Sequence, residues 1–216
     1  MALALPVAIV TLPRLASHTI QQWLRRRGIP VSVPQGHRDL MGCIVARCGY
    51  ALILVPGTDP EEERRFTVAH EVAHLIVHYL LPRGVLIAAL GEGIVDVLDG
   101  HRPPTLAERA TAALSALHLG PHVHLMPRHG PGAGTVLRFE DEADELALEL
   151  LAPCEAIEAA LRSVEVARLD GAARCGALGA RFGVPPYVFQ EVVEARRPRP
   201  GSFLEEAMSL LREKQP

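Results

Sequence analysis

The stretch FTVAHEVAH, residues 66–74, contains an HExxH motif formed by His70, Glu71 and His74. Histidines four residues apart lie on one face of a helix, roughly 6 Å apart at Cβ, so both imidazoles can bind one metal ion at about 2.0 Å. Glu71 is placed to act as a general base beside that ion. A chance match is expected on the order of 0.04 times in such a chain. The stretch therefore predicts a zinc site.

The residues around the motif predict the helix that the motif requires, over about 60–81. Pro60 suits the first helical position, and three glutamates at 61–63 place negative charge at the positive end of the helix dipole. Apolar residues then recur at three- and four-residue spacing. We expect the helix to end at Pro82 and Gly84.

The third metal ligand is not predicted from this helix. The longer motif HExxHxxGxxH requires Gly and His where Val77 and Leu80 stand. His78 lies two turns from His70, and we interpret it as a partly buried helix histidine.

A second acidic helix, ended by Pro153, supplies the candidate third ligand. Glu140 and Asp144 are four residues apart, so they share one helix face. One carboxylate can bind the metal while the other orients a ligating imidazole. An acidic helix alone usually means a solvated face, but after an HExxH helix it favours a site of two histidines and one glutamate.

Together, the two motifs resemble those of the ImmA/IrrE family of metallo-endopeptidases, small prokaryotic proteases that act on repressor proteins. Residues 65–78, RFTVAHEVAHLIVH, are similar to the family's RFTLAHELGHLLLH block, and residues 140–153 to its ExxANxFAxxLLMP block. Ala152 stands where the family usually has Met. The two blocks are also farther apart than in the family, which leaves Glu142 as a rival to Glu140 for the third ligand.

The resemblance implies one zinc ion per chain, bound by His70, His74 and Glu140, with Glu71 as the catalytic glutamate. Asp144 occupies the position where the family often has Asn. The resemblance further implies a protein substrate, a helix-turn-helix transcriptional repressor that is cut at a limited site. Such regulatory proteolysis is typical of a stress response.

Two other functions remain open at this point. A non-proteolytic regulator would keep the zincin fold and bind DNA or a partner, although such a module has no need of Glu71. A peptidase of small peptides would differ only in access to the cleft. The sequence does not determine the natural substrate, the activating signal or the oligomeric state.

Composition favours an intracellular globular enzyme, with 216 residues and 49% apolar content. A net charge of -3 gives poor support for nucleic-acid binding as the main function. We expect no membrane span, and the apolar N-terminus lacks the basic region of a signal peptide. The four cysteines show no metal-binding spacing and are read as reduced thiols. These features predict a cytoplasmic protein.

The predicted fold class is α+β, with a zincin-like core of a small antiparallel sheet and the HExxH helix. An amphipathic helix is expected at 14–27. Three β-prone runs follow at 29–33, 43–47 and 50–55, and Cys48-Gly49 predicts a hairpin turn between the last two. One edge of this sheet could pair with an extended substrate.

The predicted domain organisation is a metallopeptidase core, 1–153, followed by a C-terminal helical region, 154–216. That region includes a helix-turn-helix-like pair packed on the core, at 172–182 and 186–197, and a last helix at 203–212. Residues 185–190, where bases would be read, carry no Arg or Lys, so we do not expect DNA contact.

The core contains an insertion at about 85–137, whose role is open. Thr105 to Glu108 matches a capping box, and Leu106 and Leu114 lie on the predicted buried face of the helix that follows. Four histidines come next: His118, His122, His124 and His129. They could bind a second metal or donate a hydrogen bond to an oxyanion, but the simpler interpretation is a flexible solvent-facing loop. Tyr79 is another conceivable oxyanion donor.

Overall fold

The computed structural model describes residues 5–37, 39–114, 119–128 and 134–195, with only the backbone described at 134–138 and 195. The α+β fold class is confirmed. Contacts divide the chain into two compact units, one formed by 1–58 and 74–131 and the other by 59–73 and 132–216. The predicted domain boundary at 153 stays a prediction.

Short strands and helices follow one another along the described residues. From the N-terminus they are β1 (Val7–Leu12), α1 (Ser17–Arg26), β2 (Leu40–Arg47), β3 (Tyr50–Pro56), α2 (Glu61–His74), a π-helical segment (Leu75–Leu80), α3 (Leu81–Leu90), a 3-10 turn (Glu92–Ile94) and α4 (Val95–Leu98). Then come α5 (Leu106–Leu114), β4 (His122–Pro127), α6 (Gly134–Leu151), α7 (Cys154–Arg162), α8 (Val164–Ala167), α9 (Gly171–Phe182), a 3-10 turn (Pro186–Phe189) and α10 (Gln190–Ala195). The helix predicted at 203–212 lies outside the described residues.

The sheet of the first unit has the order β1-β3-β2-β4. Strand β2 is antiparallel to β3 and β4, whereas β1 is parallel to β3, so the sheet is mixed. The strand predicted at 29–33 is wrong. The Gln21 side chain donates to the Val31 carbonyl and accepts from the Val33 N–H. Because a side chain of α1 satisfies these backbone groups, this segment needs no strand partner.

The turn between β2 and β3 is confirmed as a two-residue hairpin. Arg47 pairs with Tyr50, and the two residues between them have positive φ, 53° at Cys48 and 77° at Gly49. Both signs are those that a type I′ turn requires.

Helix α1 covers one face of the sheet, as its amphipathic pattern predicted. The buried cluster there consists of Leu15, Ile20, Leu24, Val31, Val33, Leu40, Cys43, Val45 and Leu54. Val123 and Leu125 of β4 pack against this cluster. Successive side chains of a strand point to opposite faces, so His122 and His124 lie on the other face of the sheet.

Helix α2 does not end where the sequence predicted. The chain continues through the π-helical segment into α3, so one helical stretch runs over Glu61–Leu90, with Pro82 in the first turn of α3. A proline ring clashes with the carbonyl four residues earlier, in this helix that of His78. The wider π turn just before Pro82 accommodates the ring without ending the helix.

By length and composition alone, the stretch Glu61–Leu90 could cross a membrane. That is weak evidence, since the buried core helix of a soluble protein passes the same test. This helix neither confirms nor contradicts the expectation of no membrane span, and no membrane association follows from it.

For α5, the predicted capping box is correct and the predicted buried face is wrong. The capping box is confirmed, because the Glu108 N–H donates to Thr105 Oγ1 and the Thr105 N–H donates to Glu108 Oε2. The predicted buried face is wrong, since Leu106 and Leu114 are 79% and 90% exposed. The helix instead buries the small Ala112 in a cluster of the first unit.

In the second unit, α6 packs against α2, where Ala147 joins Phe66 and Ala69 in a buried cluster. The C-terminal helices form another core, made of Ala152, Ile157, Ala160, Leu178, Val184 and Phe189. Gly183 ends α9 in the left-handed conformation, with φ 65°. This unit therefore holds the first part of the HExxH motif, through His70 and Glu71, together with α6.

Candidate metal centre

The three residues of the HExxH motif all lie within α2, and all three are buried. His70, Glu71 and His74 are 1%, 0% and 2% exposed. Helix geometry places His70 and His74 on one face, one turn apart. Burying polar side chains is costly unless they are paired, so their partners show what the site is built to do.

His70 has a carboxylate at each ring nitrogen, both from α6. Its Nε2 lies 3.2 Å from Glu140 Oε2, and its Nδ1 lies 2.7 Å from Asp144 Oδ1. A metal-binding histidine commonly donates its second N–H to a carboxylate, which fixes the orientation of the ring. Asp144 is placed for that role at Nδ1, which leaves Nε2 to face Glu140.

The separation of His70 Nε2 and Glu140 Oε2 fits two ligands of one ion. Ligands at about 2.0–2.1 Å in a tetrahedral zinc site are about 3.3 Å apart, close to the 3.2 Å between these two atoms. Two imidazoles and a carboxylate also form a donor set that catalytic zinc sites use. The residues present therefore fit a metal ion.

Helix α6 gives Glu140 and Asp144 a common face that Glu142 does not share. A residue two positions along a helix is rotated by about 200°, so Glu142 points away from the face that contacts His70. The roles of Glu140 and Asp144 as ligand and orienting group remain predictions, but these two residues place a carboxylate oxygen at each ring nitrogen of His70.

The surroundings of His70 are strongly negative. Burial lowers its pKa, but the hydrogen bonds with Asp144 and Glu140 and the charge of Glu71 outweigh burial and raise the pKa to about 9. Groups that hold a proton on a buried imidazole favour any cation at that place. The environment is therefore suited to a metal ion.

His74 has a different environment, made of other histidines in the first unit. Its Nδ1 lies 2.9 Å from His78 Nδ1, so one ring donates a hydrogen bond to the other. The ring of His124 stacks on the His74 ring, with centroids 3.7 Å apart and planes inclined by 21°. His122 lies farther away, 6.4 Å from His74 between centroids.

The sequence interpretation missed the place of His122 and His124. Residues 122–127 form strand β4 and not a flexible loop, so that prediction was wrong. The signal was the alternation of His122 and His124 with Val123 and Leu125, which is typical of a strand with one buried face. His118 and His129 lie outside the described residues.

Tyr79 is engaged elsewhere in the first unit. Its hydroxyl accepts a hydrogen bond from the Gly49 N–H at 2.9 Å, and the side chain is buried. Burial raises the pKa of its hydroxyl. Tyr79 therefore supports the β2–β3 hairpin, and the structure gives it no role at the metal centre.

A buried helical HExxH motif next to a carboxylate helix defines a site of the metallopeptidase type. Residues 35–115 match the family model described as Peptidase_M78, the IrrE N-terminal-like domain. This confirms the resemblance to the ImmA/IrrE family and supports a metallopeptidase-type function. The matched segment contains the HExxH motif and ends before Glu140. No curated protein and no solved structure matches the chain.

Proposed function

We propose that this chain is a zinc endopeptidase that binds one zinc ion through His70, His74 and Glu140. The observation that carries the proposal is the environment of His70. Glu140 Oε2 lies 3.2 Å from its Nε2, and Asp144 Oδ1 lies 2.7 Å from its Nδ1. In the same helix, Glu71 supplies a carboxylate that binding zinc does not require.

The proposed mechanism assigns each residue a separate task. Zinc, when bound, would lower the pKa of a water molecule to about 7 and polarise the scissile carbonyl. The Glu71 carboxylate takes the proton of the attacking water and passes it to the nitrogen of the leaving amine. Asp144 holds Nδ1 of His70 and so keeps Nε2 directed at the ion.

The proposed substrate is a cytoplasmic helix-turn-helix repressor, cut once in an exposed linker. An extended linker can enter a peptidase cleft as a strand without unfolding of the rest of the substrate. This part of the proposal depends on the family resemblance, as does the cytoplasmic location. The alternative function, a regulator that binds a partner or DNA, gives no reason for a fully buried Glu71 beside His70.

The proposal is tested by incubating the zinc-loaded protein with the repressor encoded beside its gene, and separately with casein. We expect one cut in the repressor, slow casein degradation, and loss of both after zinc is removed with a chelator. Rapid casein degradation with an intact repressor would refute the regulatory role and leave the zinc chemistry standing. No cleavage of either protein, with zinc bound, would favour the non-proteolytic alternative.

A further inference from the structure

We propose that His124 is a further catalytic residue, whose imidazole donates a hydrogen bond to the carbonyl oxygen of the scissile bond as negative charge develops there. This inference rests on the proposed peptidase function. It assigns a role to strand β4, which lies outside the segment matched by the family model.

His124 belongs to the group of residues that could hold a metal ion, but the orientation of its ring favours the role of a neighbour of the ligand His74. A metal ion lies in the plane of the imidazole that binds it, so two imidazoles on one ion need planes that meet at the ion. The rings of His74 and His124 are stacked, 3.7 Å apart and inclined by only 21°. Their planes do not converge close to either ring, which favours a place for His124 beside the ion over a place in its coordination shell.

His124 is nevertheless close to where the chemistry must occur. A nitrogen of its ring lies within 4.8 Å of a ligand nitrogen of His74. A substrate oxygen next to the ion would therefore be within reach of an N–H on that ring, since a hydrogen bond spans about 2.8–3.0 Å. A neutral imidazole always carries one N–H that can donate.

The position of His124 on β4 also gives it access to a substrate. Among the described residues, β4 is the last strand in the order β1-β3-β2-β4, so its outer side is a sheet edge of that part of the chain. His124 is only partly buried. A peptide that adds to this edge as a strand would run beside the backbone of His124.

The other described candidates for this role are less well placed. The Tyr79 hydroxyl lies at the β2–β3 hairpin, 2.9 Å from the Gly49 nitrogen, and Nδ1 of His78 shares a hydrogen bond with Nδ1 of His74. His122 shares the strand and the face of His124, but its ring lies 6.4 Å from that of His74, against 3.7 Å for His124. His122 is therefore a matched control.

The test compares His124→Ala, His124→Gln and His122→Ala in the zinc-loaded protein. The activity probe is the fluorogenic peptide that wild type cleaves fastest in a mixed-sequence library. The binding probe is a phosphinic peptide of the same sequence, whose tetrahedral phosphinate carries its negative charge where the oxyanion would. Zinc content is measured for every variant.

We expect His124→Ala to keep its zinc and its KM while kcat falls by about 10²–10³-fold, the usual effect of losing one oxyanion donor. The affinity for the phosphinic peptide should fall by a similar factor. His124→Gln retains an N–H donor and should recover part of both losses. His122→Ala should match wild type.

Three results would overturn the inference. Loss of zinc in His124→Ala would show that His124 is a ligand. An unchanged kcat in His124→Ala would show that it takes no part in the mechanism. An equal loss of kcat in His122→Ala would indicate a general effect on the strand. A wild-type protein that binds neither zinc nor the phosphinic peptide would instead refute the proposed function itself. If the wild type is active and the His124 variants have the same kcat as wild type, only this inference is refuted.

Discussion

His70 shows how one residue can be prepared for a metal by its neighbours. Asp144 Oδ1 lies 2.7 Å from one ring nitrogen and Glu140 Oε2 lies 3.2 Å from the other. The two carboxylates differ in exposure, since the side chain of Asp144 is 55% exposed and that of Glu140 is 28% exposed. The more buried carboxylate is the one that faces the nitrogen proposed to bind zinc.

This arrangement predicts a ranking of zinc affinities. Asp144→Asn removes an orienting partner of His70 and should lower the zinc affinity by about 10–100-fold. Glu140→Gln removes the proposed ligand itself and should lower the zinc affinity further. Glu142→Gln is the matched control, because it removes the same charge from the same helix on another face, and should bind zinc as wild type does. Competition with a chromophoric chelator measures all three. A larger loss in Glu142→Gln than in Glu140→Gln would reassign the third ligand.

At the residue scale, the sequence predicted what depends on short spacing. The HExxH motif and the pair Glu140 and Asp144 each follow from positions four apart on a helix. The stack of His124 on His74 could not be predicted, because it depends on which strand lies beside the end of α2. That pairing brings together residues 50 positions apart in the chain, and no local pattern encodes it.

At the scale of elements, features that depend on adjacent residues could be predicted, and features that depend on other elements could not. The Cys48-Gly49 turn and the Thr105 to Glu108 capping box depend on a few adjacent residues, and both are found. The predicted strand at 29–33 failed because Gln21, from another element, bonds to its backbone. The predicted end of α2 failed because a π-helical segment accommodates Pro82.

The start of α5 predicts a dependence of stability on acid. The Arg102 guanidinium and the Thr105 N–H hold the pKa of the Glu108 carboxyl at about 2, below its ordinary value of 4.5. A lowered pKa means that the contribution of Glu108 is present above pH 4.5 and is lost as the pH falls through 2. Glu108→Gln should therefore have a lower melting temperature than wild type near pH 6.

The same comparison near pH 2 should show little difference, since little of the contribution of the carboxylate remains there. Glu155→Gln controls for the loss of an exposed carboxylate in the first turn of a helix, in this case α7. Melting followed by circular dichroism at several pH values measures the effect. A difference in melting temperature between Glu108→Gln and wild type that stays constant down to pH 2 would contradict a stabilising role of the Glu108 carboxylate.

At the scale of the whole molecule, the sequence predicted the class of fold but not its topology. The sequence predicted an α+β protein with a small antiparallel sheet; the structure confirms the class, but the sheet is mixed because β1 pairs parallel to β3. The parallel pairing of β1 with β3 joins residues more than 40 positions apart. β4 likewise takes its position by pairing with β2, although the chain from β3 to α5 separates the two strands in sequence. Such pairings are set by long-range packing, which periodicity does not report.

The central claim is that the chain is a zinc peptidase in which Glu71 moves the proton and does not hold the metal. Glu71→Gln keeps the size of the buried side chain but cannot accept a proton as a carboxylate does. Measured together on this variant, zinc content and cleavage rate test the claim most directly. We expect one zinc per chain, an unchanged fold, and a rate lower by about 10²–10⁴-fold. Cleavage at the wild-type rate with zinc retained would contradict the account.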